Sequence, residues 1–332
     1  MDILAGTSRG LYRINGAVEP QSPVLAEPGV RELVRIGDRL HAGAGTGHFF
    51  SDDGGLTWRR SDLPEIEVWQ VREGRDCLYA GTQPAGLWRS TDNGESWREV
   101  EGFAALARQA GGWGIPVTPP IPGRLRALVV DATDPDRIAA GVEVGGVALS
   151  EDGGESWRMV LPGDNPDLHM MFQHPAAPET IFASTGYGRP DGIAEMVEGN
   201  AGVFRSDDGG ATWTYAWKGV LPRYSRPMCI DERAPHALTV ASAPTAFSHY
   251  KDEGGAQAML YRSTDGGESW RSLCDPAHSP SAANFHGLNV DPENPGGVLT
   301  GTDTGEVWRV SDNAEWTLLG RGMPSVLAVL AV

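Results

Sequence analysis

The stretch SDDGGLTW, residues 51–58, is the first of five copies of the pattern Ser-x-Asp-x-Gly-x-x-Trp in this chain. The others are STDNGESW (90–97), SEDGGESW (150–157), SDDGGATW (206–213) and STDGGESW (263–270), and a shorter, degenerate copy, SDNAEW, covers residues 311–316. An Asp side chain bonds backbone N–H groups two residues further on, and Gly supplies the positive φ that tight turns require. The pattern therefore predicts a repeated hairpin turn, with the Trp ring buried between layers.

The segments around each turn predict four short antiparallel strands, A to D, with the Asp turn joining C to D. Strand B is a short apolar segment that ends in small residues. It occurs seven times, as LAGT (4–7), HAGA (41–44), YAGT (79–82), AAGV (139–142), FAST (182–185), VASA (240–243) and LTGT (299–302). Four-stranded units that repeat radially form a propeller, which leaves only short sheet edges. We therefore expect an all-β, seven-bladed β-propeller.

The two ends of the chain predict how the propeller closes. The first repeat begins directly at strand B and lacks a strand A, whereas residues 325–332 (SVLAVLAV) form a strand with no repeat of its own. We expect the C-terminal strand to become strand A of the first blade and to close the ring. The whole chain, 1–332, then forms a single domain.

The Ser-x-Asp-x-Gly-x-x-Trp element resembles the Asp-box, or BNR, repeat of sialidases, sortilin-type receptors, some glucanases and photosystem-assembly propellers. The resemblance covers nearly the whole chain and includes bacterial single-domain proteins described as sialidase-like or as glycosyl hydrolases with BNR repeats. It implies the fold but not the chemistry, because the box is a structural turn away from the active sites of the family. Sialidases also carry a Phe/Tyr-Arg-Ile-Pro motif and three arginines. Here the nearest string, residues 12–15 (YRIN), lacks the Pro, and no set of three arginines stands out, so a true sialidase is the less favoured interpretation.

Composition excludes several partners. The chain has 332 residues, with 27 Lys and Arg against 44 Asp and Glu, a net charge of −17. Such a chain is not expected to bind nucleic acid or an anionic membrane, which require a basic surface. The N-terminal sequence shows no basic region followed by an apolar one, so no secretory signal is predicted, and the three cysteines (77, 229 and 274) are too scattered for a disulfide framework. We expect a cytoplasmic protein.

The long connections indicate which face of the propeller carries the site. In a four-stranded blade the B–C and D–A loops emerge on one face, and the A–B and C–D loops emerge on the other. All the long connections are B–C or D–A loops, and they cover residues 102–124, 186–201, 218–225, 244–259 and 275–284. We therefore expect a pocket on this face, over the central channel.

The start of strand A supplies the candidate site residues. Aligned on the strand ends, the same position holds Arg126, His169, Arg226 and His286, with Arg31 and Trp69 as approximate counterparts. Strand A is innermost in a blade, so these cationic and imidazole groups would ring the channel mouth and attract an anion.

Acidic groups follow nearby in the sequence. Asp167 precedes His169 by two residues, and Glu143 and Asp303 each follow a strand B. Asp167 and His169 could be a general base and its orienting partner, or Asp167 could cap a turn. His169, His286 and Glu143 are candidate ligands of a divalent metal, but they lie in different blades, so spacing leaves the cofactor undetermined.

The loops add further candidates. Trp113, in the Gly- and Pro-rich segment 111–123, could stack on a sugar from a non-helical flap or pack against the neighbouring blade. Arg189 and Tyr224 belong to other connections on the same face, and residues 194–198 could form a helical turn. Cys274 with His278 or His286 could be a nucleophilic pair, or Cys274 could be an isolated loop thiol.

Two functions remain open. The first is a hydrolase or lyase that acts on a small anionic or carbohydrate-like molecule. In it the arginines at 31, 126 and 226 hold the anion, the groups at 143, 167, 169 and 286 move protons, and Trp113, Arg189 and Tyr224 shape the pocket. The alternative is a non-catalytic scaffold that offers the same face to a protein partner.

Overall fold

Antiparallel strands make up almost all of the regular structure, which a computed structural model describes for residues 1–16, 18–20, 22–186 and 196–332. In chain order the strands of the first three blades are β1 (Ile3–Thr7), β2 (Gly10–Ile14), β3 (Glu32–Ile36), β4 (Arg39–Ala44), β5 (Gly47–Ser51), β6 (Arg59–Arg60), β7 (Glu67–Gly74), β8 (Cys77–Gln83), β9 (Leu87–Ser90) and β10 (Arg98–Glu99). A two-stranded hairpin and the fourth and fifth blades follow, with β11 (Gly114–Ile115), β12 (Ile121–Pro122), β13 (Leu125–Val130), β14 (Ile138–Val142), β15 (Gly146–Ser150), β16 (Arg158–Val160), β17 (Leu168–His174), β18 (Ala177–Thr185), β19 (Gly202–Ser206) and β20 (Thr214–Tyr215).

The remaining strands complete a seven-bladed β-propeller, as the repeat predicts. They are β21 (Tyr224–Ile230), β22 (Leu238–Ala243), β23 (Met259–Ser263), β24 (Arg271–Ser272), β25 (Phe285–Val290), β26 (Val298–Thr302), β27 (Val307–Val310), β28 (Trp316–Gly320) and β29 (Val326–Ala331). The helical elements are α1 (Glu101–Gln109) and two 3₁₀ turns, Pro162–Asp164 and Pro276–His278. Within the described residues, no helix has the length and apolar character needed to cross a membrane.

The chain divides into two compact units. Unit 1, residues 1–45, 49–59 and 219–332, contains the first, sixth and seventh blades and most of the second. In it β29 pairs antiparallel with β1 and gives the first blade the strand order β2-β1-β29. The C-terminal strand thus supplies the strand A that the first repeat lacks, as predicted.

Unit 2, residues 46–48 and 60–218, contains the third, fourth and fifth blades, the β11–β12 hairpin and α1. Its core lies between neighbouring blades, where Leu87, Phe103 and Leu125 are completely buried. At Gly81 in β8 the packing is so close that an added Cβ would lie 2.5 Å from the Leu125 side chain. Glycine therefore allows the third and fourth blades to approach each other here.

The Asp-box pattern forms the same hydrogen-bonded turn in each of its five copies. In the first, the Ser51 hydroxyl donates to Asp53 at 2.8 Å and accepts the Gly55 N–H at 2.8 Å. The Asp53 carboxylate also accepts the Thr57 N–H at 2.9 Å. Gly55 has a φ of +86°, in the region that favours glycine. The box is thus a self-contained turn, and its polar groups are used for structure.

Helix α1 was not predicted. It occupies the first part of the connection 102–124, ahead of the Gly- and Pro-rich segment in which we expected a non-helical flap. Its sequence, EGFAALARQ, consists mainly of good helix formers, and Phe103 anchors it in the core. The segment after it does form the expected non-helical structure, as the β11–β12 hairpin.

Candidate functional site

Three acid–base side chains converge in unit 2. Glu143 follows β14 and Asp167 directly precedes β17, and an isolated antiparallel bridge joins the two residues. Glu143, Asp167 and His169 each offer one ligand atom, and these atoms all lie within 4.8 Å of one another. All three side chains are buried. We call these three residues the acid–imidazole cluster.

Asp167 and His169 form a direct pair. His169 Nε2 lies 3.3 Å from Asp167 Oδ1, and their side chains are 0% and 2% exposed. The turn before β17 is capped by Asn165, whose side-chain oxygen accepts the Asp167 N–H at 2.8 Å. Capping the turn is therefore the role of Asn165, and the Asp167 carboxylate is directed to the cluster.

Two arginines hold the Glu143 carboxylate. Arg124 Nη1 and Arg126 Nη1 donate to Glu143 Oε2 at 2.9 and 3.1 Å. Arg124 Nε also donates to Gln83 Oε1 at 3.0 Å. Both guanidinium groups lie over the Trp69 ring, 4.6 and 5.0 Å from its centroid, where the face of the ring attracts cations. We call Arg124 and Arg126 the guanidinium pair.

A β-bulge marks the strand A position that the sequence alignment selected. In six blades the pairing of strand A with strand B skips at this point, so that a residue of strand A has no direct partner in strand B. In the first blade this residue is Leu327 of β29, which the alignment did not select. In the other five blades the skipped residues are Trp69, Arg126, His169 and His286, with Arg226 and Pro227 sharing the position in the sixth blade. Bulges re-aim side chains, so the aligned residues share a backbone feature as well as a position.

The candidates in unit 1 take part in separate contacts. Arg226 Nη2 donates to the Tyr224 hydroxyl at 3.2 Å and to the Ala246 carbonyl at 3.1 Å, and its guanidinium lies over the Tyr224 ring. Arg31 directly precedes β3, and its backbone N–H donates to the Gly43 carbonyl. His286 is half-buried at the bulge of β25. Of the three predicted metal ligands, His169 and Glu143 therefore belong to the acid–imidazole cluster and His286 does not. The third member of the cluster is Asp167.

A buried carboxylate in unit 1 holds the long loop of the sixth blade. Asp303 accepts the Tyr250 N–H at 3.0 Å and the Asn284 N–H at 2.9 Å, and His249 Nε2 lies 3.9 Å from its Oδ2 atom. Burial raises the pKa of the Asp303 carboxyl above its ordinary value. Asp303 thus connects the loop 244–258 to the seventh blade.

Other candidates have structural partners or lie outside the described residues. Trp113 is half-buried and packs on Phe103 of α1, with 5.7 Å between the ring centroids. Arg189 and part of the segment 194–198 lie outside the described residues.

The proposed cysteine–histidine pair is not formed. The Cys274 thiol accepts the Leu260 N–H at 3.2 Å, and burial raises its pKa. The His278 ring instead bonds Asp275 at 2.7 Å and stacks on Trp316. These contacts are local or apolar, so they favour a structural role for the thiol.

Sequence reasoning missed Arg124 and Gln83. Arg124 belongs to the string Arg-Leu-Arg at residues 124–126, and its alternation with Arg126 was a signal that both side chains share one side of the strand. Gln83 ends β8 in the preceding blade, and nothing in its local sequence indicates a contact with Arg124.

The acid–imidazole cluster offers an imidazole nitrogen and two carboxylate oxygens, a donor set that suits proton transfer or a divalent cation. The guanidinium pair contributes two positive charges at Glu143, which works against binding of a cation beside it. The arrangement is therefore better suited to acid–base chemistry than to holding a metal.

Comparison with known proteins supports the repeat and the fold. The BNR/Asp-box repeat matches residues 49–60. The oligoxyloglucan-reducing end-specific xyloglucanase of Emericella nidulans is 25% identical over 251 residues, which cover 65% of this chain and 28% of the xyloglucanase. The crystal structure of the GH74 xyloglucanase from Xanthomonas campestris superposes with a TM-score of 0.71 at 21% identity, over 96% of this chain and 52% of that chain.

A second similar structure has a length nearer that of this chain. YCF48 bound to D1 peptide superposes with a TM-score of 0.55 at 16% identity, over 88% of this chain and 82% of that chain. By contrast, the chain spans about a quarter of the length of the Emericella nidulans xyloglucanase and about half of the length of the Xanthomonas campestris xyloglucanase. The relatives in the first two comparisons are glycosidase-type hydrolases with a propeller fold, in line with the hydrolase expectation.

Proposed function

We propose that the chain is a glycosidase-type hydrolase that acts on a carbohydrate, and that the acid–imidazole cluster carries its chemistry. The observation that carries this proposal is the convergence of two carboxylates and an imidazole, all buried, with their ligand atoms within 4.8 Å. Glycoside hydrolysis uses a pair of carboxyl groups beside the scissile bond. The similarity to xyloglucanases supports the same class of reaction.

Asp167 is the proton-transferring group in this proposal, and His169 positions it. The His169 Nε2 atom lies 3.3 Å from Asp167 Oδ1, so the imidazole can hold the carboxylate in place. Imidazole accepts and releases protons near neutral pH, which makes it a suitable relay behind a carboxylate. Glu143 is the second carboxyl group, fixed by its bonds to Arg124 and Arg126.

The ligand site lies on the side of unit 2 where β14 ends and β17 begins, beside the B–C and D–A connections. The connection between β10 and β13 is the longest in the unit and includes α1 and the β11–β12 hairpin. Loops carried on a rigid sheet are a common location for binding residues. We therefore propose that a small anionic or sugar-like ligand binds on this side of unit 2.

The test is a hydrolysis assay with a panel of aryl glycosides and xyloglucan-derived oligosaccharides. We expect turnover by the wild type and its loss in Asp167→Asn and Glu143→Gln. Asp38→Asn and Glu155→Gln are matched controls, because both residues are exposed and they should retain full activity. Equal activity of Asp167→Asn and wild type would overturn the assignment.

A non-catalytic binding propeller is the second candidate. The observation that favours it is in unit 1, where the loop 244–258 exposes Phe247 (73%) and Tyr250 (39%). Exposed aromatic side chains are enriched at binding surfaces. An inert wild type in the hydrolysis panel, together with saturable oligosaccharide binding that Phe247→Ser abolishes, would favour this candidate.

A further inference from the structure

We propose that the guanidinium pair is a binding site for one oxyanion, and that the saccharide recognised in unit 2 therefore carries an acidic group such as a uronic acid carboxylate. This deepens the proposed function, because the pair shares Glu143 with the acid–imidazole cluster. The argument rests on the rigidity of the pair, its remaining hydrogen-bond donors and its charge.

The two guanidinium groups are held in fixed positions. Arg126 is the bulged residue of β13, and Arg124 directly precedes that strand, so both side chains reach the same Glu143 oxygen. The Trp69 ring supports both groups from one side. Gln83, which holds Arg124 Nε, is itself fixed by its bond to the Pro122 carbonyl at 2.9 Å. A preorganised donor set loses little entropy when an anion binds.

The pair keeps donors that the described protein does not use. A guanidinium group has five N–H donors. Among the described residues, Arg124 uses its Nε and Nη1 atoms, and Arg126 uses only Nη1. The Arg124 side chain is 20% exposed and that of Arg126 is 11% exposed, so both retain contact with solvent. These remaining donors can form the paired N–H···O bonds that carboxylates, phosphates and sulfates accept.

The local charge favours an anion with a single negative charge. Two guanidinium charges face the one carboxylate of Glu143, so these three side chains together carry one net positive charge. They lie in a chain whose net charge is −17. A bound oxyanion would balance this positive charge, whereas a neutral sugar would leave it unchanged. The guanidinium pair therefore favours an acidic saccharide over a neutral one.

Calorimetric titration of the purified chain tests the site with four probes: glucuronate, glucose, inorganic phosphate and sulfate. We expect glucuronate to bind and glucose to bind at least tenfold more weakly, and we expect the affinity for glucuronate to fall as salt is raised. Saturable binding of phosphate or sulfate instead of glucuronate would support the oxyanion site and assign it to a tetrahedral group. Equal affinity for glucuronate and glucose would overturn the proposal.

Variants locate the site. Arg124→Gln and Arg126→Gln should each weaken glucuronate binding by about 10- to 100-fold, as expected for the loss of charge-assisted bonds. Arg126→Lys keeps the positive charge but lacks the paired N–H donors of a guanidinium group. It should therefore bind glucuronate more tightly than Arg126→Gln and more weakly than the wild type. Arg158→Gln is the matched control, since Arg158 is half-exposed on β16 and its nearest acidic partner is 3.7 Å away. Unchanged binding by both glutamine variants would overturn the proposal.

The failure of this inference and that of the proposed function give different results. Asp167→Asn should lose hydrolysis but still bind glucuronate, and the removal of a nearby negative charge should not weaken that binding. If no substrate is hydrolysed but arginine-dependent glucuronate binding persists, the proposed function fails and the oxyanion site stands. If a neutral saccharide is hydrolysed and no anion binds, only the oxyanion site fails.

Discussion

His169 Nε2 lies 3.3 Å from Asp167 Oδ1, and both side chains are buried in unit 2. The two residues stand two positions apart at the start of β17, where the bulge at His169 interrupts the pairing with β18. The pair is therefore built by one strand segment, while its neighbour Glu143 comes from the preceding blade. We therefore expect substitutions of Asp167 and of His169 to have different effects on activity and on stability.

Asp167→Asn should remove activity and leave the fold intact. Asparagine has nearly the same shape as aspartate but cannot take up a proton, so we expect kcat to fall by about 10²- to 10⁴-fold. His169→Ala should instead destabilise the protein by roughly 2–4 kcal/mol, because it leaves a cavity and removes the imidazole beside the buried Asp167 carboxylate. Hydrolysis rates and urea unfolding of both variants check this. An Asp167→Asn variant that is active but unstable would contradict the assigned roles.

The stereochemistry of hydrolysis tests whether Glu143 and Asp167 act together. Their nearest ligand atoms lie within 4.8 Å, which is close to the spacing of about 5–5.5 Å found in retaining glycosidases. Inverting enzymes need about 6.5–9.5 Å to place a water molecule. If both carboxyls react at one glycosidic bond, the first product should retain its anomeric configuration. Proton NMR of early time points measures this, and an inverted product would exclude at least one of the two from the reacting pair.

The Asp boxes should make the protein more resistant to acid. In the fourth blade, hydrogen bonds from the Ser156 side chain and N–H, and from Ser150, lower the pKa of Asp152 to about 2 from its ordinary value of 3.8. A carboxyl with a lowered pKa in the folded state contributes stability above pH 3.8, and this contribution is lost as the pH falls towards 2.

Ser156→Ala tests that contribution. The variant should be less stable than the wild type at pH 7, and the difference should shrink as the pH falls from about 4 to about 2. Urea unfolding at several pH values measures it. Ser8→Ala is the control, because Ser8 is exposed and lies outside the boxes. A difference between Ser156→Ala and wild type that is independent of pH would contradict the role of the Asp152 carboxylate.

Gly81 should not tolerate a side chain. A Cβ at this position would lie 2.5 Å from the Leu125 side chain and 2.6 Å from the Leu125 carbonyl oxygen. Since backbone atoms cannot move aside easily, Gly81→Ala should cost about 1–3 kcal/mol of unfolding free energy. Gly114→Ala is the control, because the nearest atom to its added Cβ would be 3.8 Å away. Thermal denaturation of both variants decides, and equal stability would show that the blades can separate at this point.

Asp303→Ala should release the loop 244–258 of unit 1. The carboxylate accepts the Tyr250 and Asn284 N–H groups, so its removal leaves both donors without this partner. Lys251 lies next to Tyr250 in the same loop, and cleavage after it by trypsin should become faster in the variant. Asp252→Ala would be a poor control because Asp252 accepts the His249 N–H, so Asp38→Ala is preferred. An unchanged cleavage rate would mean that other contacts hold the loop.

The fold was predictable from the sequence because its determinants are local. Each Asp box closes within eight residues, and the missing strand A of the first repeat is explained by β29 pairing with β1. The strand A alignment also found the bulged residues of five blades, since the same backbone feature recurs there, but it did not include Leu327 in the first blade. Repetition made these features visible without any structure.

The candidate site was only partly predictable because its contacts connect different blades. Glu143, Asp167 and His169 were all candidates, but their meeting depends on how the fourth and fifth blades pack. Arg124 was missed because the alignment considered one residue per strand, and Gln83 because it belongs to the third blade. Helix α1 was missed because the glycines and prolines after it dominated the interpretation of that connection.

The bulges at the start of strand A have a consequence for redesign. A bulged residue has no direct partner in strand B, so its identity is uncoupled from the alternation that the blade core imposes. The chain itself already uses this freedom, with Trp69, Arg126, His169 and His286 in the same backbone setting. The residue type at these positions can therefore be changed without disturbing the strand pairing of the blade. Substituting them one at a time is a way to change which ligand the propeller binds while its fold stays the same.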